Sequence, residues 1–444
     1  MNKVVVALLA SASKKVDRRH FSCYSLLLIG AFLFTLLVSP AFGQAVSQDI
    51  AVVVNALTFP DLGIVASLSL IDLDEPSERR AVDNEILRIG FDPILRRRAI
   101  GLSIHGHLAY ITSFNLPITG ETSSGDNIYI INLEDREFVG EIPIQAGTTP
   151  QQIALVNEQK LYVTCAATHE VHVVDIPNRN VTKVLTGSFN KPSGITLLNG
   201  KVYVTNPAWE WDPIARKVNY YDSSVTVIDI GTDVILKSIP MPPNAGGILN
   251  DGDATIIVKT RDNLVLIDAN TDEIVETVDP KLTPGAFALN SKNQLFIQGD
   301  WQNPGLLIYD VAARDWIRDK DNMITNFSND ADTSIRGGLT FAPDGNLYIT
   351  QPDWSGGGQD FVRVMDVADA SLLRSYHVGT GANNVGFATI TPRRADINND
   401  GFVNMKDMII AGRFLGDEGA GIRADVNGDE VVDIRDLVLI GQGH

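Results

Sequence analysis

Two stretches near the C-terminus carry acidic and amide side chains at the spacing of a calcium-binding loop. They are Asp396–Asp407 (DINNDGFVNMKD) and Asp425–Asp436 (DVNGDEVVDIRD), which begin 29 residues apart. Oxygen-bearing side chains stand at positions 1, 3, 5, 9 and 12, and position 7 adds a backbone carbonyl. Ca²⁺ takes about six to eight hard oxygen ligands, which a loop of this length wraps around one ion. The sequence predicts two calcium ions, held by Asp396, Asn398, Asp400, Phe402, Asn404, Asp407, Asp425, Asn427, Asp429, Val431, Asp433 and Asp436.

Each acidic loop runs into a segment with helical apolar periodicity, Met408–Leu415 and Leu437–Ile440. Position 12 is Asp rather than Glu and no helix is predicted before the loop, so each copy is a loop–helix half rather than a full EF-hand. Glu430 stands at position 6 of the second loop, where Gly best allows the sharp turn. We therefore expect weaker calcium binding in the second loop.

The tandem of loop–helix units resembles the type I dockerin family over about residues 394–444. Dockerins fold around calcium and attach exported proteins to cohesin-bearing scaffolds, so the resemblance implies a cohesin-like partner. Positions 10 and 11, where dockerins contact cohesin, are Met405-Lys406 and Ile434-Arg435 here instead of the common Ser-Thr pair. The identity of the partner therefore stays open.

Four of the five tryptophans stand in predicted loops, and three of these directly follow an acidic residue. An aromatic ring offers an apolar plane to the C–H face of a sugar, and a neighbouring carboxylate accepts hydrogen bonds from its hydroxyl groups. We predict a carbohydrate-binding surface made by Trp209, Trp211, Trp301, Trp354, Asp300 and Asp353. The alternative is that these tryptophans only fasten long loops to the rim of the fold.

The elements that position these loops follow a sevenfold repeat. One pattern of alternating apolar residues, then Asp or Asn, then an apolar residue recurs as LSLIDL, IYIINL, VHVVDI, VTVIDI, LVLIDA, LLIYDV and VRVMDV. A second strand pattern, as in Leu161–Thr164 and Val202–Asn206, precedes most copies. Seven units of four short strands predict an all-β fold, a seven-bladed β-propeller over residues 44–392. Asn384–Thr391 is predicted to complete the first blade, near Ala51–Leu73, and so to close the ring.

The second and third strands carry a recognisable sequence, Tyr203-Val204-Thr205-Asn206 followed by Val227-Ile228-Asp229. This resembles the YVTN-type propeller repeat family over roughly residues 50–392. The resemblance implies the fold and leaves the function open, because propellers carry many activities. The long insertions all follow the YVTN-like strands, at Ser113–Asn127, Pro207–Ser223, Gly299–Pro304 and Gln351–Asp360.

The sequence predicts no catalytic residue. It has no G-x-S-x-G nucleophile elbow, HExxH zinc motif or phosphate-binding glycine loop. His169-Glu170 is the best general-base candidate because it lies on the long-loop face. Asn206 and Asp353 are candidates for places comparable to the metal ligands of propeller lactonases.

The chain has 444 residues, with 36 Lys and Arg against 54 Asp and Glu, and a formal net charge of −18. Such a surface repels phosphate, which argues against nucleic-acid binding. Five basic residues precede the apolar stretch Tyr24–Val38, and Ala41-Phe42-Gly43 follows. This predicts a cleaved signal peptide over residues 1–43, with an uncleaved anchor as the alternative. Cys165 is then the single cysteine of the mature chain, which has no membrane span and no intramolecular disulfide.

These features predict an exported protein, extracellular, on the cell surface or periplasmic. Its domains are a signal peptide (1–43), a seven-bladed propeller (44–392) and a small C-terminal α-helical, calcium-binding, dockerin-like domain (394–444). The expected role is glycan binding, accessory to polysaccharide recognition or degradation, within an assembly joined through the dockerin-like domain. Two alternatives stay open: a propeller enzyme (polysaccharide lyase, glycosidase or lactonase) carried by that domain, and a protein-binding scaffold.

Overall fold

The structure is a computed structural model. It describes residues 48–56, 67–73, 87–88, 96–116, 126–134, 137–300, 302–325, 337–352, 360–390, 395, 397, 403, 405–418, 422, 424–426 and 431–442. The predicted signal peptide lies outside these residues, as do the two predicted domain boundaries. Among the described residues, no helix is long and apolar enough to span a membrane.

Seven four-stranded antiparallel sheets form the blades of a β-propeller, which confirms the predicted fold. Blade 1 contains β1 (Gln48–Asn55), β2 (Ser67–Asp72), β3 (Leu87–Arg88) and β30 (Ala382–Ile390). Blades 2 and 3 contain β4 (Arg96–His105), β5 (Leu108–Leu116), β6 (Asp126–Asn132), β7 (Glu137–Ile144), β8 (Pro150–Asn157), β9 (Lys160–Cys165), β10 (Glu170–Asp175) and β11 (Asn180–Leu185). Blades 4 and 5 contain β12 (Ile195–Leu198), β13 (Lys201–Asn206), β16 (Ser223–Asp229), β17 (Val234–Met241), β18 (Gly247–Asn250), β19 (Thr255–Lys259), β20 (Leu264–Asp268) and β21 (Glu273–Val278). Blades 6 and 7 contain β22 (Phe287–Leu289), β23 (Gln294–Gln298), β24 (Leu306–Asp310), β25 (Asp315–Arg318), β26 (Leu339–Phe341), β27 (Leu347–Gln351), β28 (Phe361–Met365) and β29 (Leu372–His377).

The ring closes in blade 1, where the first and the last strand of the propeller pair. β30 pairs antiparallel with β1, from Gln48 opposite Ile390 to Asn55 opposite Ala382. The strand predicted at Asn384–Thr391 is therefore confirmed as the missing member of the first blade. Closure removes two exposed sheet edges, which would otherwise be open to pairing with other chains.

Apolar side chains alternate along each strand and fill the spaces between neighbouring blades. The cluster between blades 4 and 5 illustrates this, because buried Tyr203 and Val227 of blade 4 pack with Ile256 and Val265 of blade 5. A single blade has two apolar faces and cannot bury both alone, so the ring of neighbours provides the core.

The tyrosine of the YVTN pattern joins one blade to the next. The Tyr203 hydroxyl donates to Asp272 Oδ1 at 2.7 Å, and Lys201 Nζ lies 2.9 Å from Asp272 Oδ2. Tyr162 and Lys160 make the same contacts with Asp233 one blade earlier. Burial first, and then the hydrogen bond to Asp272, raise the pKa of Tyr203.

The threonine of the same pattern joins the first strands of adjacent blades. Thr205 Oγ1 accepts the N–H of Gly194 at 2.9 Å and donates to the Gly246 carbonyl of the next blade at 2.7 Å. Thr112, Thr164 and Thr350 repeat this bridge in blades 2, 3 and 7. The residues of the signature are therefore structural.

The repeated Asp or Asn at the end of the third strand caps the turn that follows. Asp229 Oδ1 accepts the N–H and the hydroxyl of Thr232, which lower the pKa of the Asp229 carboxyl. Asn132, Asp175, Asp268, Asp310 and Asp366 cap the equivalent turns of five other blades. Part of the acid surplus of the propeller therefore consists of Asx-turn caps.

Two short helices follow the propeller in the chain, α1 (Met405–Ala411) and α2 (Ile434–Gln442). The helices and the residues before them form a small core in which residues 29 positions apart are buried alike, as in Ala395 with Ala424 and Ala411 with Ile440. Both helices begin three residues before the predicted apolar segments, at position 10 of each acidic loop. This matched burial is the pattern of an internal duplication.

Candidate functional site

The candidate site lies on the face of the propeller that carries the long loops. Second and third strands run in opposite directions, so the loops between them share a face with the connections between blades, and the other hairpins lie opposite. The four insertions predicted from the sequence all connect second and third strands, in blades 2, 4, 6 and 7. The longest described one, in blade 4, contains a hairpin that belongs to no blade.

This hairpin consists of β14 (Trp209–Asp212) and β15 (Lys217–Tyr220), paired antiparallel. Trp209 is directly opposite Tyr220, and Trp211 is directly opposite Val218. Residues opposite each other, and residues two apart in a strand, point to the same side of a sheet. These four side chains therefore form one side of the hairpin, called the aromatic side below. Glu210 and Asp212 are on the other side.

The aromatic side is open to solvent. Trp209 is 37% exposed and Trp211 is 55% exposed, whereas most large apolar side chains of the propeller strands are fully buried. Ile214, at the tip of the hairpin, is 95% exposed. Exposed tryptophans close together on a protein surface mark binding sites more often than scaffold positions.

Two cations lie against the aromatic side, one from the connection between blades 3 and 4 and one from the loop between the second and third strands of blade 5. Lys191 Nζ lies 4.2 Å from the ring centroid of Trp209, and the Arg261 guanidinium carbon lies 5.1 Å from that of Tyr220. Lys191 precedes the first strand of blade 4, and Arg261 follows the second strand of blade 5. Both distances are within the range of cation–π attraction.

The base of the hairpin is fixed to the propeller by backbone hydrogen bonds. The N–H of Tyr221 donates to the carbonyl of Ala208 at 2.9 Å, and the N–H of Ala208 donates to that of Asn190 at 3.4 Å. Ser223 Oγ donates to the Pro207 carbonyl at 3.0 Å. A rigid base of this kind holds the hairpin in one orientation relative to Lys191.

The opposite side of the hairpin is acidic. The Tyr221 hydroxyl donates to Glu210 Oε2 at 3.3 Å, and the Glu210 charge raises the pKa of Tyr221. Glu210 and Asp212 therefore lie on the side away from Lys191 and Arg261, together with Lys217, which is directly opposite Asp212.

Asp300, predicted as a sugar ligand, holds its own loop together. Its Oδ1 accepts the N–H groups of Gln302 and Asn303 and the side-chain amide of Asn303, and its Oδ2 accepts the N–H of Thr283. Burial alone would raise the pKa of Asp300, but these hydrogen bonds lower it. The other predicted members in blades 6 and 7, Trp301, Asp353 and Trp354, lie outside the described residues.

The polar residues that the sequence suggested for catalysis have structural partners. Asn206 is buried; its side-chain amide donates to Thr226 Oγ1 at 2.9 Å, and its Oδ1 accepts the N–H of Asn190 at 3.2 Å. His169 Nδ1 accepts the N–H of Lys191 at 3.0 Å. Glu170 Oε2 lies 3.0 Å from Nε2 of buried His172. Cys165 is a free, buried thiol whose pKa burial raises.

Lys259 departs from the repeat, and the sequence analysis did not identify this departure. It takes the place of the bridging threonine in blade 5, opposite Gly247, and its ammonium group forms no hydrogen bond or ion pair with a described residue. Burial lowers the pKa of its ammonium group. Aligning the second strands blade by blade would have singled out this lysine.

In the C-terminal segment, five of the twelve predicted calcium ligands are described: Asp407, Asp425, Val431, Asp433 and Asp436. Asp407 and Asp436 are each the third residue of a helix, and both are fully buried. Asp436 Oδ2 accepts the N–H of Asp433, and Asp433 Oδ1 accepts that of Arg435, so these carboxylates also cap α2.

The remaining predicted calcium ligands lie outside the described residues: Asp396, Asn398, Asp400, Phe402, Asn404, Asn427 and Asp429. Within the described part of the chain, no group of three or more His, Cys, Asp and Glu residues could hold a metal ion.

Comparisons with known proteins give distant structural similarity only. No family model matches the chain, and no curated protein matches it. A hydrazine synthase chain of Kuenenia stuttgartiensis is 16% identical over 63% of this chain and 92% of that one, with a TM-score of 0.45. A chain of a mitotic checkpoint complex is 10% identical over 74% and 86%, with a TM-score of 0.47. AztD of Citrobacter koseri is 12% identical over 78% and 99%, with a TM-score of 0.45. At this similarity the neighbours carry no argument about function, and the fold rests on the sheet topology of the chain itself.

Proposed function

We propose that this chain is an exported glycan-binding protein, accessory to polysaccharide recognition or degradation. The observation that carries the proposal is the aromatic side of the β14–β15 hairpin, with exposed Trp209 and Trp211 on a rigidly anchored base. Residues two apart in a strand lie roughly 7 Å apart, so the two indoles can contact neighbouring units of one sugar chain. Aromatic rings give a large contact area at a low cost in conformational entropy.

A glycan array with the mature protein identifies the ligand, and two variants test the site. We expect Trp209→Ala with Trp211→Ala to weaken glycan binding about tenfold or more, since each aromatic contact contributes about 1 kcal/mol. Tyr221→Ala is the matched control, because it removes an exposed aromatic residue from the other side of the same hairpin. Unchanged binding by the double variant, or no glycan binding by the parent, would overturn the proposal.

The C-terminal segment is proposed to bind two calcium ions through the twelve residues named from its sequence. Two features support this: the donor set is all oxygen, and Asp407 and Asp436 are buried at equivalent positions of the two helices. Calcium supplies charge neutralisation there, and the residues of the two loops provide the ligands.

An exposed apolar surface on the two helices is proposed to contact a cohesin-like scaffold domain. It contains Met405 (67% exposed) and Ile409 (54%) on α1, with Ile434 (66%) and Val438 (50%) on α2. The two pairs occupy matching positions of the duplication. Met405→Glu with Ile434→Glu should abolish capture by a cohesin panel in the presence of calcium. Capture that persists in this variant would contradict the proposed surface.

Export is proposed from the N-terminal sequence alone. Mass spectrometry of the protein recovered from outside the cytoplasm should give a mature N-terminus after Gly43. An intact N-terminus on a membrane-bound form would instead favour the anchor.

A further inference from the structure

We infer that the glycan bound at the aromatic side of the hairpin is anionic, with carboxylate or sulfate groups on its sugar rings. This inference rests on the proposed glycan-binding function and specifies the class of ligand. The observation behind it is the position of Lys191 and Arg261 on either side of the Trp209–Tyr220 pair.

The first step of the argument concerns the partners of the two cations. Lys191 forms no ion pair with a described residue. Arg261 lies 3.8 Å from Asp262, a contact between two exposed side chains. Exposed pairs of this kind exchange readily with other anions. Both cations therefore have hydrogen-bonding capacity for an anionic group.

The second step concerns the distribution of charge. The chain carries a net charge of −18, yet the aromatic side has cations at its base, and its acidic neighbours Glu210 and Asp212 are on the opposite side of the hairpin. A neutral sugar does not require cations next to the aromatic rings or carboxylates on the other side of the hairpin. An anionic sugar gains from it, because its ring contacts an indole while its anionic group meets ammonium or guanidinium.

The third step concerns geometry. Lys191 and Arg261 lie at the base of the hairpin, and Trp211, the more exposed indole, is two residues further toward the tip. A sugar stacked on Trp211 can therefore direct a ring substituent toward either cation. Guanidinium binds carboxylate and sulfate in a bidentate manner, whereas ammonium acts as a point charge, so Arg261 is expected to contribute more to selectivity.

The test uses polymers that differ in charge. Binding of the mature protein is measured to polygalacturonate, to its methyl ester and to dextran sulfate, at about 0.05 M salt to limit screening. We expect at least one anionic polymer to bind about tenfold tighter than the neutral ester. Lys191→Gln with Arg261→Gln should reduce that preference to about twofold. Lys292→Gln is the control, because this exposed lysine lies in a hairpin on the opposite face.

The outcomes distinguish failure of the anionic-ligand inference from failure of the proposed glycan binding. A polygalacturonate preference identifies carboxylate and a dextran sulfate preference identifies sulfate, and either supports the inference if the double variant loses it. Equal binding of the ester and the acid, lost in Trp211→Ala, would overturn the anionic ligand but keep glycan binding. No binding to these polymers or to a neutral glycan array would overturn both. Thermal unfolding of each variant checks that the fold is retained.

Discussion

The propeller and the C-terminal segment use their acidic side chains in different ways. In the propeller, Asp229 and its equivalents cap turns, and Asp272 accepts hydrogen bonds from Tyr203 and Lys201 of the preceding blade. These carboxylates have protein partners. In the C-terminal segment, the acids cluster along the sequence in Asp396–Asp407 and Asp425–Asp436, and the described apolar residues form a small core. Clustered carboxylates repel one another until a cation neutralises them. The two regions should therefore respond differently to loss of a strand, loss of calcium and loss of a single contact.

The largest effect is expected from breaking the ring. Deletion of residues 384–391 from the full chain removes most of β30, which pairs with β1 and buries Ala388 and Ile390. We expect the propeller to lose its cooperative thermal transition, as measured by calorimetry. Replacing residues 209–220 by a short glycine–serine link should leave that transition in place, since the hairpin belongs to no blade. A cooperative transition in the deletion variant would show that closure is dispensable.

Removal of calcium should affect only the C-terminal segment. A segment of about 50 residues buries too little apolar area to be stable alone, so the folding of α1 and α2 should depend on the ion. Chelation should abolish a low-temperature transition of the full chain and leave the propeller transition unchanged. Asp396→Ala with Asp425→Ala should weaken calcium binding at least a hundredfold by calorimetric titration, and Asp417→Asn is the control. No calcium uptake by the parent below millimolar concentrations would refute the proposed site.

A smaller effect is expected at one contact between blades. Tyr203→Phe removes the hydroxyl that donates to Asp272 and leaves this carboxylate with Lys201 as partner. We expect a loss of about 1–2 kcal/mol in the free energy of unfolding, since a hydrogen bond to a charged group is lost. Denaturant titration measures the change. Tyr221→Phe, which removes an exposed hydroxyl from the hairpin, should change stability by less than about 0.5 kcal/mol.

The smallest effect is expected from restoring the threonine bridge in blade 5. Lys259→Thr replaces a partly buried ammonium group by a threonine. In blades 2, 3, 4 and 7 the threonine at this position donates a hydrogen bond to the next blade. We expect a gain of about 1 kcal/mol at pH 7.

The gain from Lys259→Thr should depend on pH. The pKa of Lys259 is lowered in the folded protein, so the unfolded chain binds more protons and the parent becomes more stable as pH rises toward about 10.4. The advantage of the variant should therefore shrink as pH rises toward about 10.4 and level off above it. A constant gain between pH 7 and 10.5 would contradict the burial of a charged lysine.

The strand pattern of the propeller could be predicted because alternation is local. Each of the seven third strands, such as β10 and β20, lies where the repeat places it, and the closing strand was recognisable as an unpaired copy. The role of the signature was not predictable, since the partners of Tyr203 and Thr205 belong to the next blade. β19 was missed as a second strand because its sequence, TIIVK, has isoleucine and lysine where the pattern has tyrosine and threonine.

The candidate site was only partly predictable, because its contacts also join residues from different blades. Trp209 and Trp211 stand out in the sequence, but their pairing with β15 and the approach of Lys191 and Arg261 depend on the ring. The role of Asp300 was accessible from its spacing to Asn303, which is typical of an Asx turn.

The most direct test of the account is the equilibrium binding of the mature protein to a glycan, with and without a calcium chelator. The account predicts saturable binding that falls about tenfold or more in the Trp209→Ala, Trp211→Ala variant. Binding should not change on chelation, because the tryptophans lie in blade 4 and the proposed calcium sites lie in the C-terminal segment. Absence of binding, equal binding by the variant, or loss of binding on chelation would contradict it.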